Sequence, residues 1–97
     1  MALLGAYHVG TGAAVKLSTL IPAVVKEINI ISNPGNAAMF YLGPSTVTSA
    51  GVNAWVALEP GYPWGVKAET GGQVTLAPED VYVVGTASDK LHISYLT

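Results

Sequence analysis

Two histidines, ten charged side chains and no cysteine bound the chemistry open to this 97-residue chain. A zinc site takes three or four ligands from His, Cys, Asp and Glu. Neither His8 nor His92 has a second histidine or a carboxylate cluster nearby in sequence. Without cysteine, a thiolate centre, a thiol nucleophile and a disulfide framework are all excluded. His92 and Ser94 share one strand face, with Asp89 three residues before His92. A nucleophile triad needs convergence at an exposed turn beside an oxyanion hole. One hairpin rarely supplies that, so this set reads as a half-exposed strand face.

The carboxylates of Glu59, Glu69, Glu79 and Asp80 are the remaining candidates for acid–base work. A glycosidase needs two of them facing one another across a substrate. Glu79 and Asp80 are adjacent, so on a strand they point to opposite faces, and all four sit in or near turns. No Asp-x-Asp-x-Asp-Gly calcium loop occurs. Gly10-Thr11-Gly12-Ala13-Ala14-Val15 resembles a phosphate loop only superficially. Val15 occupies the third glycine position, no helix follows, and no Gly-Lys-Ser/Thr is present. The sequence therefore implies no cofactor, no metal and no enzyme.

Charge excludes further classes. Four scattered lysines (16, 26, 67 and 90), no arginine and a net charge of −2 cannot neutralise a phosphate backbone. No apolar run reaches the roughly 18 residues of a spanning helix, and the first residues lack a signal peptide's basic lead. Nucleic acid and membrane are not expected partners. Only 10% of residues are charged and 51% are hydrophobic, against about one quarter charged in an ordinary domain. So neutral a surface favours self-adhesion. Coverage by protein partners accounts for it, because interface cores are apolar and charge-poor; the alternative is a neutral surface made by Ala, Gly, Ser and Thr.

The elements that must position these residues are short strands. Six prolines and eleven glycines break any helical stripe. Residues 1–14 read as an irregular or extended arm, with a short strand near Tyr7–Val9, and 15–97 as the folded domain. Residues 15–19 alternate like a half-buried strand. Residues 24–32 are the clearest strand, with Val24, Lys26, Ile28 and Ile30 on one face and Val25, Glu27, Asn29 and Ile31 on the other. Ser32-Asn33-Pro34-Gly35-Asn36 is a turn, and 37–43 reads as the returning strand of a hairpin. Thr46–Thr48, 54–58 and 63–68 follow as strands, with Glu59-Pro60-Gly61 placed for a type II turn. Gly71-Gly72, then Val74 and Leu76, lead to the last two strands, 80–84 and 91–96, joined as a hairpin by a polar loop. About eight strands near ten-residue intervals predict an all-β, antiparallel β-sandwich, jelly-roll-like or immunoglobulin-like.

Aromatic residues are the best lead to a binding surface. Tyr62 and Trp64 are two apart and project from one side of a strand, while Trp55 stands on the preceding strand. A small core takes one large aromatic more easily than two, so the expectation is Trp55 inside and Tyr62 or Trp64 at an interface, the alternative being both tryptophans in the core. Met39, Tyr41 and Tyr7 complete the expected interface set.

Ser32–Asn36, Tyr41-Leu42-Gly43-Pro44-Ser45-Thr46-Val47, Leu58–Gly61, Val81–Gly85 and Leu91–Tyr95 follow one another in an order that resembles the small β-sandwich structural proteins of tailed bacteriophages, the head decoration (cement) proteins especially. The resemblance spans roughly residues 15–97 and consists of turn-and-strand grammar. It implies a virion protein made in the host cytoplasm and carried on the capsid exterior. It further implies a homo-oligomer, a trimer above all, that binds the major capsid protein. A receptor- or carbohydrate-binding module of a tail or fibre, with Tyr62 and Trp64 as a stacking platform, is the alternative.

Overall fold

The computed structural model describes residues 3–22, 25–67 and 80–97. Among these, eight strands form: β1 (Leu3–Val9), β2 (Val15–Lys16), β3 (Glu27–Ser32), β4 (Phe40–Gly43), β5 (Val56–Leu58), β6 (Pro63–Lys67), β7 (Tyr82–Val84) and β8 (Lys90–Leu96). They make two four-stranded sheets, ordered β1-β8-β3-β6 and β2-β7-β4-β5. Every pairing is antiparallel. The strands nest outward from the middle of the chain: β4 pairs β5, β3 pairs β6, β2 pairs β7 and β1 pairs β8. Pairings of β3 with β8 and of β4 with β7 join these ribbons into sheets. A long hairpin rolled into two sheets gives this order, which is the jelly roll.

The alternation of the strands explains the layers. Ile28, Ile30 and Ser32 of β3 are buried, whereas Ile31 between them is exposed. Phe40 and Leu42 of β4 face the same interior from the other sheet, with Leu58 and Val83, and meet Leu91 and Ile93 of β8 from the first. Phe40 is fully buried near the centre, and Gly85 makes room for it: a Cβ on Gly85 would strike the Phe40 ring inside van der Waals contact. Trp55 is not the core tryptophan. Leu58 is buried and Val56 packs on the core, so Trp55 falls on the outward parity with Ala57 and stays 52% exposed. Trp64 packs against the core instead.

Three local expectations also change. The chain enters sheet structure at Leu3, not near Tyr7, because β8 pairs with it along seven residues; only the stretch from Gly10 to Ala14 matches the irregular arm. The strand expected at 15–19 stops after two residues. There the Thr19 hydroxyl donates to the Lys16 carbonyl (2.6 Å) and Leu17–Thr19 close a 3-10 turn. Thr46–Thr48 is loop, anchored by the buried Val47.

The two expected hairpins are not hairpins. β3 and β4 lie in different sheets, as do β7 and β8. The reason is a clasp between their connections. The Asp89 carboxylate, 6% exposed, accepts from the backbone N–H of Ala37 (2.9 Å) and of Ala38 (3.0 Å). Beside it, the Asn36 amide donates to the Lys90 carbonyl (2.8 Å) and accepts from the Lys90 N–H (2.7 Å). These bonds hold the two crossings against each other, so each turns over the end of the sandwich. The Glu59-Pro60-Gly61 turn is of the expected kind. Tyr62 N–H donates to the Glu59 carbonyl (2.9 Å), and Gly61 has the positive φ of 84° that a type II turn demands. It too crosses between sheets, tied down by the Ser32 hydroxyl donating to the Glu59 carbonyl (2.8 Å). Val24, Ala68, Glu69, Gly71-Gly72, Val74, Leu76 and Glu79 lie outside the described residues.

Candidate functional site

The outer face of the sheet β1-β8-β3-β6 carries the candidate site. Register fixes its first row. Tyr7 of β1 stands opposite His92 of β8, His92 opposite Ile31 of β3, and Ile31 opposite Pro63 of β6. All four are exposed, Tyr7 at 52% and Ile31 at 45%. The Tyr7 and His92 rings meet at 5.4 Å between centroids, tilted by 52°. Val9, also exposed, extends the apolar surface along β1. The row therefore crosses the whole sheet without a charged side chain.

The next row is shaped differently. Gly5, Ser94, Asn29 and Gly65 are in register across the same four strands. Two glycines and two small polar residues leave a shallow strip beside the apolar ridge. Asn29 donates from its amide to the Glu27 carboxylate (3.0 Å), which sets that side chain along β3. Ridge and strip together make one broad, shallow face.

The five expected interface residues do not gather into one patch. Tyr7 lies on the ridge. Tyr62 is exposed in the turn ahead of β6. Trp64 is opposite Ile30, on the inward parity, and packs on the core. Tyr62 and Trp64 thus do not present two stacked rings to solvent. Tyr41 is half-buried on the other sheet, its ring lying over Gly51, and Met39 is half-buried just ahead of β4. Sequence reasoning missed Ile31, His92 and Pro63 as a set. The signal was present for one of them, because Ile31 shares its face with Glu27 and Asn29, where an apolar residue is out of place on a solvated strand.

The residues considered for catalysis are dispersed. His92 and Ser94 are on the outer face, but both Asp89 oxygens are turned inward onto Ala37 and Ala38. His8 is on the inner face, 8% exposed, edge-on to Phe40 at 6.2 Å. Its Nε2 has no hydrogen-bond partner among the described residues, and burial lowers its pKa from the ordinary value. The Gly-rich stretch is spent on structure. Gly10 N–H donates to the Asp89 carbonyl (2.7 Å) and Gly12 N–H to the Gly85 carbonyl (2.8 Å), so these donors are not free for a phosphate. Among the described residues, no three of His, Cys, Asp or Glu come together, and no helix is long and apolar enough to cross a membrane.

Comparison of the chain with protein-family models, with curated proteins and with solved structures yields no match.

Proposed function

We propose that this chain is a virion structural protein, a decoration subunit that binds the outside of a major capsid shell and stabilises it through apolar contact. The observation that carries this reading is the exposed Tyr7–His92–Ile31–Pro63 ridge, uncharged from one edge of the sheet to the other. Jelly rolls serve as capsid, lectin and enzyme scaffolds alike, so the fold alone does not select among them. The low charge and the exposed face support the decoration reading. With 10% charged residues, contact relies on removing apolar surface from water, an attraction that salt does not screen. The ordered resemblance to decoration proteins points the same way and favours a homo-oligomer, three copies above all, on the capsid exterior.

The test is co-sedimentation with undecorated, expanded capsids of a tailed phage at low salt and at high salt. The wild-type chain pellets with the shells at both. Ile31→Lys, which places a charge mid-ridge without touching the core, weakens binding at least tenfold while circular dichroism and melting temperature stay put. Absence of binding at every salt concentration overturns the proposal, as does binding that Ile31→Lys leaves untouched.

A further inference from the structure

We infer that two copies of this chain join edge to edge, β1 against β1 in antiparallel, to make one eight-stranded sheet. Edge strands are templates for pairing, and proteins that stay single blunt them with prolines, lysines or short length. Among the described strands, three of the four sheet edges are blunted. β6 begins at Pro63 and ends at Lys67, β2 has two residues and β5 has three. β1 has seven, Leu-Leu-Gly-Ala-Tyr-His-Val, with no proline, lysine or carboxylate. Among the described residues it has a partner strand on one side only, and Leu4, Tyr7 and Val9 are exposed along it.

Register shows which backbone groups are free. Gly10 N–H donates to Asp89, one step beyond the Val9–Lys90 pair. On the far side of β8, Asn33 N–H donates to the Lys90 carbonyl and Lys26 N–H to the Leu96 carbonyl, so even-numbered β8 residues bond β3. Bonding pairs alternate in antiparallel ladders. Odd-numbered β8 residues therefore bond β1 at Leu4, Ala6 and His8. The N–H and C=O groups of Gly5, Tyr7 and Val9 point away from the sheet, unclaimed by β8.

The occupant follows from complementarity of the strand with itself. A two-fold axis at Ala6 brings Tyr7 opposite Gly5 of the second copy, and Gly5 opposite the second copy's Tyr7. The space above Gly5 is open: the nearest atom to a Cβ there would be the Ile93 carbonyl oxygen, at 3.7 Å. A tyrosine ring lying over a cross-strand glycine is a favourable pair. On the inner side, Leu4 of each copy meets His8 of the other, covering the exposed leucine. No like charges meet. The two ridges then face the same way on one continuous sheet. This contact is two-fold, in place of the three-fold association that the resemblance favours, and it does not rest on the capsid reading.

Sedimentation velocity of the full chain across about 1–100 μM, where edge contacts of modest affinity populate, gives a species of twice 10.0 kDa. Tyr7→Lys and Tyr7→Pro raise its dissociation constant at least tenfold. The proline removes an N–H that β8 does not use, and the lysine stands as a second variant should the proline disturb folding. With no native cysteine, Ala6→Cys cross-links to its counterpart under mild oxidation, because facing residues of a non-bonded pair are about 4.5 Å apart at Cα. Val9→Cys, paired with Leu3 in this register, does not. A monomer throughout, a trimer indifferent to Tyr7→Lys, or cross-linking at Val9 but not at Ala6 overturns the inference. Tyr7 also lies on the ridge, so capsid binding is read separately through Ile31→Lys on β3, and the dimer through the Ala6→Cys cross-link; each reading can fail without the other.

Discussion

Replacing Asp89 by asparagine is the sharpest probe of what holds the two end crossings together. The carboxylate accepts two backbone N–H groups, at 2.9 and 3.0 Å, while nearly buried. Hydrogen bonds to a charged acceptor contribute roughly 1.5–3 kcal/mol each. Ala37 is exposed and Ala38 half-buried, so water recovers part of the loss at Ala37 and less at Ala38. Asparagine keeps one oxygen but sets an amide N–H against a backbone N–H, losing one bond and adding a repulsion. We expect Asp89→Asn to cost about 2 kcal/mol and Asp89→Ala about 3 kcal/mol. For a domain this size, 3 kcal/mol lowers the melting temperature by roughly 12–24 °C. Urea titration followed by tryptophan fluorescence, with scanning calorimetry beside it, measures both variants. Asparagine is nearly isosteric, so its effect reports bonding and not a cavity. A melting point for Asp89→Asn within a degree of the parent would refute the reasoning.

Two further outcomes follow. Burial holds the pKa of His8 below its ordinary value, so the unfolded chain takes up the proton first as pH falls. The slope of stability against pH is then positive between the folded value and about 6.5: stability is full above about 6.5 and falls as pH drops through that window. His8→Leu removes this component, so urea midpoints at pH 8 and pH 5 differ less in the variant than in the parent. Gly85→Ala drives a methyl into the Phe40 ring and destabilises the domain by about 1–3 kcal/mol or more. Pairing it with Phe40→Leu recovers part of that loss, measured as a double-mutant cycle by urea unfolding.

Much of the layer structure is legible in the chain. Alternation in residues 27–32 assigns Ile28 and Ile30 to the interior and leaves Ile31 outside, and the Glu59-Pro60-Gly61 turn is readable to its type. What alternation cannot carry is partner choice. Pro34-Gly35 announces a reversal, but whether the chain comes back beside β3 or drops into the opposite sheet depends on Asp89, some fifty residues away. The same holds at Gly85–Asp89, where Phe40 sets how closely the backbone passes. Trp55 runs against the expectation from size because its parity, opposite to that of the buried Leu58, turns it outward. The ridge was hidden for a related reason: its four members come from four strands and meet only through register.

The nested pairing also dictates an order of events. Among the described strands, only β4 and β5 follow one another within one sheet. Each further pair encloses all those inside it, until β1 and β8 close a loop of some eighty residues. Closing larger loops costs more chain entropy unless inner ribbons have already shortened them. Loop entropy therefore favours zipping from the centre of the chain outward, and in that order strand β1 docks last, its unblunted edge forming only once every other ribbon is in place.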